Sequence, residues 1–322
     1  MSALGAHQYE TDRMRVGIIG LGDMGGGMAD RLLHAGFELH GYNRMRTKCE
    51  PFAAKGMQTS ESPREVAEVS DVVITMVTNT EALQAVIDGP DGILAGIRPG
   101  AILADMSTTA PTFMRDLAAR VAERGAHLLD APVLGSILTL RQGQLLIMVG
   151  GDRAAYDRAE AVFLAIASNV RHVGAVGQAK ALKVAANLNL VIQMIGFSEG
   201  ILLAEKMGVE RRLAIETLLS GVIASAHMKY RVPFVLDPPD HAWFDCDTIQ
   251  KDVQLALDLG KSQGVTMPTT AVAQQLLTAA RGFGYAKEDF AVVFHALAKM
   301  AGIERDPSSI PLYARETVGT RQ

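Results

Sequence analysis

Residues 15–33 read Arg-Val-Gly-Ile-Ile-Gly-Leu-Gly-Asp-Met-Gly-Gly-Gly-Met-Ala-Asp-Arg-Leu-Leu and constrain the fold more than any other stretch. Val16 to Ile19 is apolar without polar alternation, the pattern of a strand buried on both faces. Gly20-x-Gly22-x-x-Gly25 follows, and Met24, Met28, Leu32 and Leu33 then recur at helical spacing. Strand, glycine turn and helix in that order form the context a dinucleotide fingerprint requires. The first glycine permits a tight turn, and the second lets backbone approach a pyrophosphate. The third allows close packing of helix on strand, and the helix N-terminus offers unpaired N–H groups to phosphate. Gly20, Leu21, Gly22, Asp23, Met24 and Gly25 are therefore candidate cofactor contacts.

Strand and helix patterns continue to alternate. Strands are expected within 36–43, 70–79, 99–109, 127–136 and 144–151, then a helix over 153–167 and a short strand over 169–173. At Gly174-Ala-Val-Gly177 the alternation stops, and helical patterns cover 179–207, 211–220, 247–263, 269–281 and 289–300. The expected class is α/β: an N-terminal Rossmann doubly wound sheet (15–176) and an all-α C-terminal domain (177–302), joined by a long inter-domain helix. Residues 1–14 and 303–322 are read as tails; residues 1–13 are polar and lack an apolar signal core.

Composition narrows the function classes. The 322 residues are 48% hydrophobic with a net charge of -4, which suits a globular chain with a large core. There is no basic excess and aromatics are scarce, so no nucleic-acid partner is expected. Cys49 and Cys246 fit neither a metal spacing nor a disulfide framework, so no metal and a cytoplasmic setting are expected. Residues 184–204 are largely apolar, but Asn187, Asn189, Gln193 and Glu199 interrupt them. A helix buried between domains fits that stretch better than a membrane span.

The second strand ends in Asn43-Arg44, followed by Arg46, Thr47 and Lys48. NAD-binding sheets place an acidic residue there for the ribose 2′-hydroxyl. A carboxylate would repel a 2′-phosphate, whereas arginine meets it with forked, charge-assisted bonds. The pattern favours NADP over NAD; a solvated basic loop is the other reading. Beyond the next strands, Thr78-Asn79 and Ser107-Thr108-Thr109 put small hydroxyl and amide groups at the carboxyl edge where ligands lie. The same residue types cap helices, Thr109 before Ala110-Pro111 among them, and both roles stay open. Pro132 to Ser136 is irregular backbone, either offering free N–H groups to an anion or simply connecting strands.

Lys183 and Asn187 stand one helical turn apart on a stretch otherwise built of Ala, Leu, Val, Ile and Met. Lysine is seldom fully buried without a partner, so the pair needs solvent or a ligand. In the plain reading Lys183 snorkels to the surface and Asn187 bonds a carbonyl. In the functional one, an ammonium beside the cleft donates its proton to the oxygen of a carbonyl receiving hydride, and the reverse reaction returns it. Asn187 would hold that oxygen or a neighbouring group.

Taken together these motifs resemble the β-hydroxyacid dehydrogenase family, the group of 3-hydroxyisobutyrate dehydrogenase and the glyoxylate/succinic semialdehyde reductases. The carriers are Gly-Leu-Gly-Asp-Met-Gly (20–25), Tyr-Asn-Arg (42–44), Asp-Met-Ser-Thr (105–108), Asp-Ala-Pro-Val (130–133) and Gly-x-x-Gly-x-x-x-x-x-Lys-x-x-x-Asn (174–187). Phe-Ser-Glu-Gly (197–200) and Gln-Lys-Asp-Val (250–253) follow in order, so the likeness runs from about Arg15 to Met300. Gly135-Ser136, Asn43-Arg44 and Lys48-Cys49 look most like the NADPH-linked semialdehyde reductases. The resemblance implies homodimers or homotetramers assembled through the helical part, with Lys183 as proton donor and Asn187 on the substrate. It also implies Thr108 at the nicotinamide and substrate edge, Leu134, Gly135 and Ser136 beside the substrate, and Phe244, Lys251 and Asp252 closing the cleft, Lys251 near the cofactor. Asn43, Arg44, Lys48, Met76, Val77 and Thr78 complete the expected cofactor contacts.

Three positions depart from the family pattern. Leu134 stands where the family has a serine for the substrate carboxylate, Ala179 replaces the third hinge glycine, and Ala186 replaces the first of two asparagines. The leading expectation is an NADPH-dependent reductase of a small aldehyde or keto acid. Leu134 raises a second, an imine or other non-acid carbonyl reductase. A third, from another class, is a non-catalytic NADP-binding module.

Overall fold

The computed structural model describes residues 14–306 and residue 311; the expectations for residues 1–13 and for most of 303–322 lie outside the described residues. The chain divides into two compact units between Lys183 and Val184.

Among the described residues of the first unit, nine strands form one sheet. They are β1 (Arg15–Ile19), β2 (Glu38–Tyr42), β3 (Gln58–Thr59), β4 (Val72–Thr75), β5 (Ile102–Asp105), β6 (His127–Asp130), β7 (Val133–Leu134), β8 (Leu146–Gly151) and β9 (Asn169–Gly174). The order β3-β2-β1-β4-β5-β6 is parallel throughout. That is the doubly wound order, and its reversal between β1 and β4 opens the crevice where dinucleotides bind. β8 pairs antiparallel with β6 and β7, and β9 pairs parallel with β8.

The apolar runs are buried because helices cover both faces of the sheet. Val16, Ile18, Ile74 and Ala104 point to a core shared with the helices Asp23–His34 and Arg153–Ile166, through Met28, Leu32, Val162 and Phe163. Their neighbours Ile19, Val73 and Leu103 point the other way, onto Val66, Leu83, Ile87, Met114 and Leu117. This alternation is the period of two that a pleated strand imposes. Each such Ile, Leu or Val contributes about 1.5–3 kcal/mol by leaving water.

The 29-residue helix Gln178–Lys206 runs across the division. It is long and apolar enough to cross a membrane by length and composition, with a mean hydropathy of 1.3. Within the second unit, however, Val191, Met194, Ile195, Ser198, Ile201 and Leu202 form a buried stripe at helical spacing. They pack with Met228, Ile249, Val253, Leu277, Phe290 and Phe294, which makes this portion the core helix of its unit. The helices Arg211–Ser220, Ala226–Arg231, Cys246–Gln263, Pro268–Gly282 and Val293–Met300 complete the second unit.

Two local features that the sequence left open are decided by the structure. The interval after Ser136 is a helix, Ile137–Arg141, started by a capping box in which Ser136 and Thr139 bond each other's backbone. Thr109 is no cap: the helix Pro111–Ala122 begins at Ala110 without a side-chain cap, and the Thr109 hydroxyl donates to Asp105 instead.

Candidate functional site

The glycine turn has the shape its sequence implies. Gly20 holds a φ of 100°, and a β-carbon there would lie 2.2 Å from the Met76 carbonyl oxygen. A β-carbon on Gly25 would lie 1.9 Å from the Gly20 carbonyl oxygen, so that glycine sets the approach of helix to strand. Gly22 faces open space: nothing lies within 4 Å of the β-carbon position, and the helix Asp23–His34 that it starts has no side-chain cap. An uncapped helix N-terminus beside a bare backbone, at the strand reversal, fits a dinucleotide pyrophosphate.

The end of β2 supports that turn from below. Asn43 Oδ1 accepts the Leu21 N–H at 2.9 Å, while Asn43 Nδ2 donates to the Met45 carbonyl at 2.9 Å. Its amide is thus spent bracing the turn, a role that the sequence reading of Asn43 as a cofactor contact did not contain. Arg44 and Lys48 are exposed. Arg46 forms a bidentate, exposed ion pair with Glu61, just beyond β3.

At the carboxyl edge of β4 and β5, a buried network fixes the loops. Asp105 Oδ1 accepts from Thr75 Oγ1 at 2.8 Å and from the Ser107 N–H at 3.2 Å, and Oδ2 accepts from Thr109 Oγ1 at 3.0 Å. Ser107 Oγ accepts the Val77 N–H at 2.9 Å. Asn79 is a helix cap, accepting from the Ala82 N–H. Met76 and Val77 are half-buried, Thr78 is exposed, and Thr108 is half-buried between the two pinned residues Ser107 and Thr109.

The start of the long helix is bonded to the same edge. Asp130, at the end of β6, accepts the N–H of Gly177 at 3.0 Å and of Lys180 at 2.9 Å, satisfying orphan donors of the first turn. Burial nevertheless outweighs these bonds and pushes the Asp130 carboxyl up. Lys180 is wholly buried, its ammonium 2.8 Å from Asp105 Oδ2, 2.8 Å from the Asp105 carbonyl and 2.5 Å from the Ser107 carbonyl. Burial would raise the Asp105 carboxyl, but the Lys180 charge and the bonds from Ser107 and Thr75 hold it below the usual range. Lys183, one turn further on, is half-buried.

In the second unit, Asn187 is wholly buried and its Nδ2 donates to Asp252 Oδ2 at 2.6 Å. Its Oδ1 has no hydrogen-bond partner among the described residues. Lys251 Nζ lies 2.7 Å from Asp252 Oδ1. Phe244 packs edge-on against Phe290, its N–H donating to Asp289, which is itself paired with the buried Arg231.

Comparison with known proteins settles the family. Residues 15–174 match the family described as the NAD binding domain of 6-phosphogluconate dehydrogenase. Residues 177–297 match the one described as NAD-binding of NADP-dependent 3-hydroxyisobutyrate dehydrogenase. The 2-(hydroxymethyl)glutarate dehydrogenase of Eubacterium barkeri is 31% identical over 90% of this chain and 97% of its own length. The chain belongs to the β-hydroxyacid dehydrogenase family. The chloroplastic glyoxylate/succinic semialdehyde reductase 2 of Arabidopsis thaliana is 32% identical over 89% of this chain and 80% of its own. A solved structure of 3-hydroxyisobutyrate dehydrogenase from Salmonella typhimurium superposes with a TM-score of 0.81 at 28% identity, covering 88% of this chain and 99% of that one.

As a β-hydroxyacid dehydrogenase the chain is an oxidoreductase that uses a nicotinamide cofactor, and the expected fold of Rossmann sheet plus helical domain holds. Leu134, the residue at the family's serine position, is half-buried at the end of β7 opposite Leu146. Gly135 is exposed with a φ of 140°. The Ser136 N–H donates to Thr139 Oγ1 at 2.7 Å, so that amide is committed to the helix cap. The sequence reading missed Lys180 and the two aspartates that bind it. The one available signal was a second lysine three residues before Lys183 on an apolar helix.

Proposed function

We propose that this β-hydroxyacid dehydrogenase is an NADPH-dependent reductase of small aldehydes or keto acids, running in reverse on the hydroxy acids, with Lys183 as general acid and base. The observation that carries the reading lies within the first unit. The helix turn bearing Lys183 is hydrogen-bonded, through Lys180, to the ends of β5 and β6, the edge of the sheet where ligands of doubly wound folds lie.

When bound, a reduced nicotinamide supplies the hydride. Lys183 donates a proton to the substrate oxygen as negative charge develops there, and takes one from the alcohol in the reverse direction. Asn187, with Nδ2 committed to Asp252, keeps a buried oxygen that accepts a substrate hydroxyl. Thr108, held between Ser107 and Thr109, is the proposed contact at the reacting edge, and the family resemblance is what supports Phe244, Lys251 and Asp252 as further substrate and cofactor contacts. NADPH is favoured over NADH because Arg44 and Lys48, both exposed, follow β2 where an acidic residue would serve NAD. The similarity to an NADP-dependent 3-hydroxyisobutyrate dehydrogenase supports the same choice.

The relatives' names describe carboxylate-bearing substrates, which supports an acid substrate here. Leu134 favours one with an apolar substituent at that position, and it is also what keeps imine or non-acid carbonyl reduction as the second reading. A non-catalytic module is disfavoured by the dehydrogenase relatives and by the presence of Lys183. We also propose a homo-oligomer, supported by the exposed apolar side chains Leu203, Met207 and Leu213 of the helical unit.

The test is a panel of glyoxylate, succinic semialdehyde, 3-hydroxyisobutyrate, 2-(hydroxymethyl)glutarate and a cyclic imine, each assayed with NADP(H) and NAD(H). The expected result is turnover of at least one acid, at least tenfold more efficient with the 2′-phosphorylated cofactor. Turnover of the imine alone would establish the second reading, and tight NADPH binding with no turnover would establish the third.

A further inference from the structure

Lys180 is sealed from solvent, and its three N–H donors have a full set of acceptors: the Asp105 carboxylate and the carbonyls of Asp105 and Ser107. It therefore has no proton to offer a ligand, which separates it from the half-buried Lys183 three residues later on the same face. A buried ion pair is a poor device for stability alone, because apolar residues of similar volume commonly serve as well or better. What this pair fixes is geometry. All three of its bonds fall on Asp105 and Ser107, the residues leading directly into Thr108. The Lys180 backbone N–H, bonded to Asp130, belongs to the turn that leads into Lys183.

We propose that Lys180 is a positioning residue for the reaction, clamping the loop that carries Thr108 to the helix turn that carries Lys183 through its bonds to Asp105 and Ser107. The proposal rests on the functional reading above, in which Thr108 and Lys183 serve the reacting atoms. Misplacement of reacting groups by about 1 Å costs on the order of a hundredfold in rate. Loss of the clamp is expected to act on turnover more than on cofactor affinity, because the Lys180 ammonium bonds fall on Asp105 and Ser107 and not on the glycine turn proposed to hold the cofactor phosphates.

The experiment compares the wild type with the variant K180M/D105N, in which neither partner is left as an unpaired buried charge. Where that variant fails to fold, K180Q, which keeps two N–H donors without the charge, is measured in its place. Three quantities are read on the folded protein: NADPH affinity by fluorescence, kcat and KM on the best substrate of the panel, and amide hydrogen exchange over residues 105–109 and 178–186. The clamp predicts NADPH affinity within about threefold of wild type, kcat lowered about 10- to 100-fold with a smaller change in KM, and faster exchange in both segments. Wild-type kcat in the folded variant, or a kcat loss matched by an equal loss of NADPH affinity, would overturn it. A wild type that turns over no member of the panel counts against the functional reading instead. The exchange measurement then decides the clamp: faster exchange in both segments supports it, and unchanged exchange overturns it.

Discussion

Asn43 Oδ1 accepts the N–H of Leu21 at 2.9 Å, tying the end of β2 to the glycine turn at the end of β1. Leu21 is buried, so without Asn43 its N–H has no ready replacement in water. A hydrogen bond of this kind contributes about 1 kcal/mol, and an orphaned buried donor costs somewhat more. N43A is expected to weaken NADPH binding about five- to tenfold, because binding must then reorder a looser turn, while kcat at saturating cofactor is unchanged. Fluorescence titration with NADPH checks this, and unaltered affinity would show that the brace has no part in binding.

Arg44 and Arg46 are expected to differ in effect despite being two residues apart. Arg46 is already held by Glu61, in an exposed pair worth no more than about 1 kcal/mol. Arg44 is the exposed arginine that directly follows Asn43. R44A should therefore reduce NADPH affinity about 10- to 100-fold and leave NADH affinity within threefold, the loss expected of a charge-assisted phosphate contact. E61Q, which loosens Arg46, should change NADPH affinity by less than about threefold. Paired titrations with both cofactors distinguish the two.

Leu134 is the proposed determinant of substrate shape. Restoring a hydroxyl with L134S is expected to lower KM for small, compact acids such as glyoxylate, and to raise it for substrates with an apolar substituent. Each change should be about tenfold, the usual worth of a methylene-sized difference in a pocket. Equal kcat/KM across the panel for wild type and L134S would remove Leu134 from the substrate site.

Two buried histidines make the second unit sensitive to acid. Burial, assisted by Arg231, pushes His227 down to about 3, and burial, assisted by Arg305 and Arg211, does the same to His295. Both stay neutral in the folded protein, while an unfolded histidine titrates near 6.5. Their contribution is therefore intact above pH ~6.5 and is lost as pH falls from there toward about 3, where the folded forms take up protons. The unfolded state binds up to two extra protons in that window, a slope of roughly 1.4 kcal/mol per pH unit for each histidine. Urea unfolding followed by the fluorescence of the single tryptophan, Trp243, packed against Phe234 in this unit, measures the slope. H295F should flatten it by about half between pH 6 and 4.

The parts legible in the sequence share one property: their chemistry lies within a few residues of itself. The glycine turn, the buried strands and the switch to helical period at Gly174–Gly177 all rest on local pattern. The illegible parts are bonds between residues far apart in sequence. Lys180 lies 75 residues from the Asp105 whose carbonyl it bonds and 50 from Asp130, and on an apolar helix a lone lysine reads as a snorkelling surface residue. Asp105 and Asp130 read as family markers, with nothing to say that both reach the first turn of one helix. Ser136 and Thr139 form a capping box without the Glu or Gln that usually announces one, so the helix they start was hidden. Thr109 sat where a cap belongs, but a buried carboxylate claimed its hydroxyl.

The central claim is that Lys183 moves the proton that accompanies hydride transfer, and K183A tests it most directly. Pre-steady-state oxidation of NADPH, monitored by absorbance with the best substrate of the panel, is to be measured beside NADPH affinity. The account predicts cofactor affinity within about threefold of wild type and a hydride-transfer rate lowered about 10²- to 10⁴-fold, the usual worth of a general acid. A K183A variant that binds NADPH normally and transfers hydride within tenfold of wild type would contradict it.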